Sequence, residues 1–275
     1  MVAPTLTDSF GRTIHYLRIS VTDRCNLRCV YCMPAAGVPL IPHEDMLSFE
    51  DIVSFTRYAV SRGIRKVRLT GGEPLVRKGI TSLVRSLAAV DGLEDLAMTT
   101  NGILLAEMAK ELKEAGLHRL NISLDTLSPH TYKELTRGGD VNCVLRGIRA
   151  AREAGFGGQD SPLKLNCVLL PHTAQEDVAA LRTFSREEGL QLRLIHHMDL
   201  QHGTFTKVEG GDGGDCTRCN RLRLTSTGIL KPCLFNNLGY DIRKLGYEKA
   251  LEAALQNKPK RGTSNTCDFF SYIGG

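Results

Sequence analysis

Alternation between strand-like and helical segments is the feature of this sequence that most restricts its fold. The strand-like runs lie at 15–21, 66–70, 95–100, 119–124, 163–170 and 190–198. Helical runs separate them, at 48–63, 79–90, 104–116, 129–135, 141–155 and 174–189. About six βα units in succession predict a parallel sheet with crossover helices. We therefore expect an α/β fold, a partial (βα)6 barrel whose reactive residues follow the carboxyl ends of the strands.

The sequence changes character after residue 200. Residues 201–215, QHGTFTKVEGGDGGD, form a Gly-rich stretch that is typical of a linker. A chain of 275 residues is long enough for one large domain with an appended region. We predict a barrel over residues 1–200 and a small C-terminal region over residues 201–275 that closes the barrel mouth.

Composition narrows the classes of function. With 42% hydrophobic and 24% charged residues, the chain resembles an ordinary folded protein, which excludes disorder. Its first twenty residues lack the apolar segment of a signal peptide, and no apolar run approaches the length of a membrane span. We therefore expect a soluble, cytoplasmic protein. A net charge of +5 without long basic runs argues against nucleic-acid binding and favours a concave site for an anionic small molecule.

Cysteines are abundant and unevenly placed. The chain has nine, and clustered cysteines in a cytoplasmic protein of this size indicate metal ligands rather than disulfides. Three stand alone, and we expect these to be small buried hydrophobic residues: Cys143, Cys167 and Cys267. The other six form two groups, which are Cys25, Cys29 and Cys32, then Cys216, Cys219 and Cys233.

The first cysteine group, CNLRCVYC, follows the first strand-like run. Its three thiolates leave one position of a metal cluster without a protein ligand, whereas a structural zinc site needs four ligands. An iron–sulfur cluster therefore fits this spacing better, with a zinc site or a chance grouping as the alternatives. Downstream, LTGGEP (69–74) places two glycines where the backbone can approach a ligand, and its Glu73 can accept a hydrogen bond from an ammonium.

These two motifs resemble those of the radical S-adenosylmethionine (SAM) enzymes. The resemblance implies that Cys25, Cys29 and Cys32 hold a 4Fe–4S cluster whose open iron binds the methionine part of SAM, which is cleaved to a 5′-deoxyadenosyl radical. The implied SAM-binding residues are Tyr31, Gly71, Gly72, Glu73, Thr99 and Ser123. For the hydroxyls of Thr99 and Ser123, an ordinary place at a strand end is the alternative.

Longer stretches resemble one family within this class, the GTP 3′,8-cyclases of molybdenum cofactor biosynthesis. They are VTDRCNLRCVYCMP, KVRLTGGEPLVR, TTNG, NISLDTL, CNRLRLTSTGILKPCLF and a terminal GG. The resemblance implies conversion of GTP to 3′,8-cyclo-7,8-dihydro-GTP, a second 4Fe–4S cluster on Cys216, Cys219 and Cys233, and the tail Gly274–Gly275 in the active site. It also implies an electron donor of the flavodoxin or ferredoxin type and a downstream cyclic pyranopterin synthase, and it leaves open a homodimer. A zinc ribbon and ligation by Cys267 are the alternatives for the second group.

The resemblance also assigns substrate residues. Three arginines match catalytic and substrate-binding positions: Arg18, Arg221 and Arg223. Four cations match positions that hold the triphosphate: Lys66, Arg68, Lys164 and Arg193. Met198 matches the guanine site. Residues two apart in a strand face the same side, so pairs such as Lys66 and Arg68 can line a barrel mouth. The alternatives are solvated surface charges and a core methionine.

Two departures from the family pattern affect the predicted substrate. His196 stands where the family has an acidic residue, and only a short Gly-rich bridge replaces a segment of several dozen residues. His196 and His197 are interpreted as buried strand histidines, with contact to a changed ligand as the alternative. The departures leave open a radical SAM enzyme acting on another nucleotide or a peptide, and a non-catalytic zinc or iron–sulfur module.

Overall fold

A nine-stranded sheet organises the chain in the computed structural model, which describes residues 5–158 and 162–274. The strand order is β6-β5-β4-β3-β2-β1-β7-β8-β9, and all pairs from β6 to β7 are parallel. The strands are β1 (Tyr16–Ser20), β2 (Lys66–Thr70), β3 (Asp95–Thr100), β4 (Arg119–Ser123), β5 (Leu163–Leu169), β6 (Gln191–His196), β7 (Arg221–Leu224), β8 (Ile229–Lys231) and β9 (Tyr240–Asp241). The predicted α/β class with a partial barrel of six parallel strands is confirmed.

Among the described residues, the helices up to residue 187 connect the parallel strands, and three more follow the last strand. They are α1 (Phe49–Arg62), α2 (Ile80–Ala88), α3 (Leu105–Glu114), α4 (Pro129–Thr136), α5 (Val141–Glu153), α6 (Gln175–Glu187), α7 (Ile242–Leu245), α8 (Tyr247–Gln256) and α9 (Phe270–Ile273). At the start of α1, the Ser48 side chain accepts a hydrogen bond from the Asp51 amide, and the Asp51 carboxylate accepts one from the Ser48 amide. Gly63 ends the helix with a φ of 124°, as the sequence predicts.

The two faces of the strands differ sharply in polarity. In β1, Leu17 and Ile19 are buried in the main hydrophobic core against the helices. Tyr16 and Arg18 alternate with them and face the barrel interior, because successive side chains of a strand point to opposite faces. This alternation places polar side chains inside the barrel. In the described part of the chain, no helix is both long and apolar enough to cross a membrane.

The C-terminal residues join the same sheet. β7 pairs in parallel with β1, and α8 contributes Ala250, Leu251 and Ala254 to the main core. The Gly-rich stretch folds back on β6, where the amides and carbonyls of Leu194 and Glu209 exchange two hydrogen bonds of 3.1 and 3.0 Å. A boundary at residue 200 stays a prediction.

Candidate active site

A cavity of about 290 Å³ lies inside the barrel, and the predicted substrate residues line it. All eight line it: Arg18, Lys66, Arg68, Lys164, Arg193, Met198, Arg221 and Arg223. The cations are therefore not scattered on the solvent surface, which was the alternative for each of them. Met198 also packs against a small apolar cluster that includes Leu234 and Phe235, so the two interpretations offered for it coincide.

Strand register explains why these side chains meet. Tyr16 of β1 lies opposite Lys66 on one side and Arg221 on the other. One pleat further, Arg18 lies opposite Arg68 and Arg223. Because parallel neighbours in register carry their side chains to the same face, three strands present two rows of polar groups to the cavity.

Several lining residues were missed in the sequence analysis, namely Tyr16, Arg119, Asn121, Asn166 and Lys258. Four of them lie on β1, β4 and β5. Each is two residues from a predicted site residue on its own strand, or lies on the same face as one on a neighbouring strand, so strand alternation could have found them. Lys258 lies after α8, and no local pattern marks it.

Crowded positive charge dominates the electrostatics of the cavity. Burial would raise the pKa of Tyr16, but the charges of Arg68, Arg18 and Arg221 outweigh it and lower the pKa to about 7. Burial lowers the pKa of Lys164 to about 8, and the neighbouring Arg193 acts in the same direction. A cavity lined by nine cations and three aspartates favours a polyanionic ligand.

The second cysteine group lies at this cavity. Cys216, Cys219 and Cys233 all line it. Burial raises the pKa of the Cys219 thiol, but the Lys258 ammonium, together with the backbone amide and the charge of Arg221, outweighs that effect, and the net shift is downward. Cys267 is exposed and does not belong to the lining, so the expectation of a buried Cys267 is wrong. Among the other isolated cysteines, Cys167 is buried and Cys143 is half-buried.

The first cysteine group lies in the loop after β1, outside the cavity lining. The end of α4 supports this loop, because the Arg28 and Val30 amides donate to Thr136 and Leu135 carbonyls at 3.1 and 2.9 Å. The Arg137 guanidinium donates to two further carbonyls of the loop. Burial, followed by the neighbouring charge of Asp125, raises the pKa of the Cys29 thiol to about 12.

Gly71 and Gly72 place this loop against the end of β2. The Gly72 amide donates to the Thr22 carbonyl at 2.7 Å. A Cβ on Gly71 would overlap the backbone of Thr22, and one on Gly72 would overlap that of Arg24. The glycines therefore leave room for another stretch of backbone. The sequence analysis explained them only by the close approach of a ligand and missed this contact.

Glu73 and Tyr31 are fixed in position by their hydrogen bonds. The Glu73 carboxylate accepts from the Thr100 hydroxyl at 2.7 Å and from the amides of Asn101 and Leu75 at 2.6 and 3.0 Å. Burial raises its pKa to about 7 despite these bonds. The Tyr31 hydroxyl donates to Asp125 at 2.7 Å, a partner that the sequence analysis missed.

The remaining predicted positions divide between the cavity and its surroundings. Thr99 lines the cavity and accepts a hydrogen bond from Arg68, whereas Ser123 is half-buried outside it. His196 is exposed and also outside the lining, so its predicted burial is wrong; it is the last residue of β6, the strand at one edge of the sheet. Arg223 donates to the carbonyl of Gly274 in the tail. Gly275 lies outside the described residues.

The thiols of the first group lie near one another. Burial raises the pKa of Cys29, and the neighbouring Asp125, Cys32 and Cys25 act in the same direction. Three neighbouring thiols suit an iron–sulfur cluster, whereas a structural zinc site needs four ligands.

Similarities to known proteins agree with these features. Residues 19–184 match the radical SAM superfamily. The chain is 39% identical to the GTP 3′,8-cyclase of Geobacter sulfurreducens over 314 aligned positions, with 95% of each chain covered. It is 43% identical to the GTP 3′,8-cyclase of Moorella thermoacetica, with 86% of each covered. The first alignment is longer than this chain of 275 residues, so that relative has residues without a counterpart here.

Solved structures resemble the fold. Streptococcus suis SuiB bound to S-adenosylmethionine superposes with a TM-score of 0.67 at 16% identity, covering 90% of this chain and 65% of that one, slightly less than two thirds of its length. A methylornithine synthase superposes with a TM-score of 0.55 at 18% identity, covering 70% of this chain. The radical SAM class implies a 4Fe–4S cluster and SAM as cofactors. The sequence identities show that this chain is a radical SAM enzyme and belongs to the GTP 3′,8-cyclase family.

Proposed function

We propose that this enzyme converts GTP to 3′,8-cyclo-7,8-dihydro-GTP in molybdenum cofactor biosynthesis. The main support is that seven predicted Lys and Arg side chains line one cavity, which the second cysteine group also lines. Such a cavity suits a nucleoside triphosphate, because guanidinium and ammonium groups form charge-assisted hydrogen bonds with phosphate oxygens. The name of the relatives that match nearly the whole chain supports the same substrate.

The proposed roles follow the position of each cation. Lys66, Arg68, Lys164 and Arg193 lie on β2, β5 and β6, and these four would hold the triphosphate. Arg18, Arg221 and Arg223 lie on β1 and β7, and these three would orient the ribose and purine beside the second cysteine group. Met198 would pack against the guanine. The planar forks of the arginines fix the orientation of a ligand as well as its charge.

For SAM, we assign the residues around the first cysteine group. Cys25, Cys29 and Cys32 would hold the 4Fe–4S cluster, which would supply the electron for cleavage of SAM and so for hydrogen abstraction from C3′ of the nucleotide. The Glu73 carboxylate, held by three hydrogen bonds, would accept from the SAM ammonium. Further contacts are assigned to Tyr31, Gly71, Gly72, Thr99 and Ser123.

A second 4Fe–4S cluster on Cys216, Cys219 and Cys233 completes the proposal. Three thiolates leave one iron open, which would contact the guanine. Support comes from the position of all three cysteines on the substrate cavity. The proposed partners are a flavodoxin- or ferredoxin-like electron donor and a downstream cyclic pyranopterin synthase, in the reducing cytoplasm where thiols stay free.

Another nucleotide is the second candidate substrate, and the shortened bridge favours it. Val208, Gly211, Asp212, Gly213 and Gly214 line the cavity, so this bridge forms a wall that a longer segment would build differently. A different wall would change which ligand group fits against it, whereas the rows of cations that bind phosphates would stay the same.

Incubation of the anaerobically reconstituted enzyme with SAM, a reductant and GTP tests the proposal directly. Mass analysis is expected to find a product of the same mass as GTP and one 5′-deoxyadenosine for each product molecule. Turnover of another nucleoside triphosphate with no change in GTP would support the second candidate instead. Absence of SAM cleavage in protein with a full complement of iron would contradict both.

Two cysteine variants test the cluster assignments. Cys29→Ala should retain iron at the C-terminal group but form no 5′-deoxyadenosine. Cys219→Ala should lose about half the iron and still cleave SAM without forming product, because that cleavage needs only the first group. Iron content at the wild-type level in Cys219→Ala would contradict the second cluster.

A further inference from the structure

Lys258 is a buried cation that the proposed reaction does not use. Its side chain is almost completely enclosed, with the residue 2% exposed. The ammonium donates to the carbonyls of Arg221 at 2.8 Å and Pro232 at 2.6 Å, and it also contacts the Cys219 thiol. A buried charge is costly unless an opposite charge balances it. Its two oxygen acceptors are neutral carbonyls, whereas the Cys219 sulfur balances the ammonium charge when it is a thiolate.

Arg12 binds the same segment from the other side. Its guanidinium donates to the carbonyl of Cys216 at 2.7 Å and to those of Pro259 and Lys260 at 2.7 and 3.1 Å. Asp8, whose side chain is fully buried, holds it through an ion pair of 2.6 Å. The charge of Arg12 is therefore compensated within the protein, unlike that of Lys258.

Together the two cations contact the chain at or next to each of the three cysteines of the second group. Arg12 holds Cys216 through its carbonyl. Lys258 contacts Cys219 directly and holds the chain immediately before Cys233 through Pro232. The short segment 258–260 thus ties together three cysteines that are up to 17 positions apart in sequence.

We propose that Lys258 and Arg12 form a cationic clamp that preorganises the second cysteine group, and that the Lys258 charge raises the reduction potential of the cluster held there. The inference rests on the second cluster of the proposed function. A positive charge beside a cluster stabilises the reduced state, which carries one more negative charge. Arg12 is neutralised by Asp8, so it acts on geometry and leaves the potential unchanged.

Redox titration of the second cluster by electron paramagnetic resonance tests the clamp. The titration uses the full chain carrying Cys29→Ala, so that only the C-terminal cluster contributes. In this background Lys258→Met should move the midpoint potential to a more negative value. Lys260→Met removes an exposed charge two residues away and should leave the potential unchanged. Asp8→Asn combined with Arg12→Gln removes both charges of the ion pair and should release iron to a chelator several times faster at an unchanged potential.

The outcomes separate this inference from the function on which it rests. Without iron at the C-terminal group of the Cys29→Ala parent, the second cluster itself is wrong. If the parent does hold iron at the C-terminal group, an unchanged potential together with unchanged iron release in Lys258→Met would overturn the clamp. Selective loss of iron from the C-terminal group in Lys258→Met would support it. If Lys258→Met does not fold, Lys258→Gln decides, because it keeps a hydrogen-bond donor and removes the charge: a more negative potential supports the clamp, and a parental one contradicts it.

Discussion

Arg68 shows at the scale of one residue how the cavity keeps a cation available. The residue is only 7% exposed, and its guanidinium donates to the hydroxyls of Tyr16 and Thr99. The Thr99 hydroxyl orients the group without neutralising it, and Tyr16, whose pKa is lowered to about 7, carries only part of a negative charge near neutral pH, so positive charge remains for a ligand. Lys164 is similarly enclosed, at 8% exposure, on the opposite side of the β3–β4 pair.

Removal of either cation should weaken substrate binding. Charge-assisted hydrogen bonds contribute about 1.5–3 kcal/mol each. Arg68→Ala or Lys164→Ala should therefore weaken GTP binding by roughly ten- to a hundredfold in calorimetry, with nearly unchanged SAM affinity. Arg85→Ala, on the exposed face of α2, is the matched control and should bind GTP as the parent does. Parental affinity in both cavity variants would contradict the triphosphate assignment.

Glu73 should make the stability of the metal-free protein depend on pH. Burial raises its folded-state pKa from 4.5 to about 7. A carboxyl with a raised pKa contributes stability that is fully present below its unfolded pKa and is lost as pH rises through the folded one. Relative to Glu73→Gln, the parent should lose up to about 3 kcal/mol of unfolding free energy between pH 4.5 and 7. Urea unfolding at several pH values measures this difference, and parallel pH profiles would contradict it.

At the scale of elements, the contact between the end of β2 and the cysteine loop is the critical one. The Gly72 amide donates to Thr22, and the next amide, of Glu73, donates to the Arg24 carbonyl at 2.8 Å. These bonds require the two backbones to touch without an intervening side chain. Strand end and metal-binding loop are thus positioned as one unit.

Gly72→Ala should displace the loop. Its Cβ would overlap the Arg24 carbonyl, and overpacking of this kind costs about 1–3 kcal/mol. We expect a lower unfolding free energy and selective loss of iron from the first group. Gly158→Ala adds the same methyl group where no atom lies within 4 Å and should change neither quantity. Equal iron content in the two variants would show that the loop does not depend on Gly72.

For the whole molecule, the concentration of charge matters more than its total. The net charge is only +5, yet nine cations and three aspartates line one cavity. Guanosine should therefore bind at least about a hundredfold more weakly than GTP. Added salt should weaken GTP binding while guanosine binding changes little, because screening acts on the triphosphate charges. Equal affinities in titrations of both ligands would contradict a triphosphate pocket.

Much of the architecture and many site residues were predictable. The strand-like runs and the helical run at 48–63 are local features, and they located the six barrel strands and α1. The motif residues led to a set of cations that does share one cavity, although their individual roles stay predictions. His196 and Cys267 were placed wrongly, because burial depends on what covers a residue from elsewhere in the chain.

The sequence by itself determined the alternation of elements, the spacing of the two cysteine groups and the phase of each charged strand residue, because all three depend on residues close together in the chain. Only the tertiary structure decided that β1 pairs with both β2 and β7, which aligns Arg18 with Arg68 and Arg223. It alone brought Lys258 to the cysteines. Contacts between distant segments are selected by the packing of the whole core, and no local pattern encodes them.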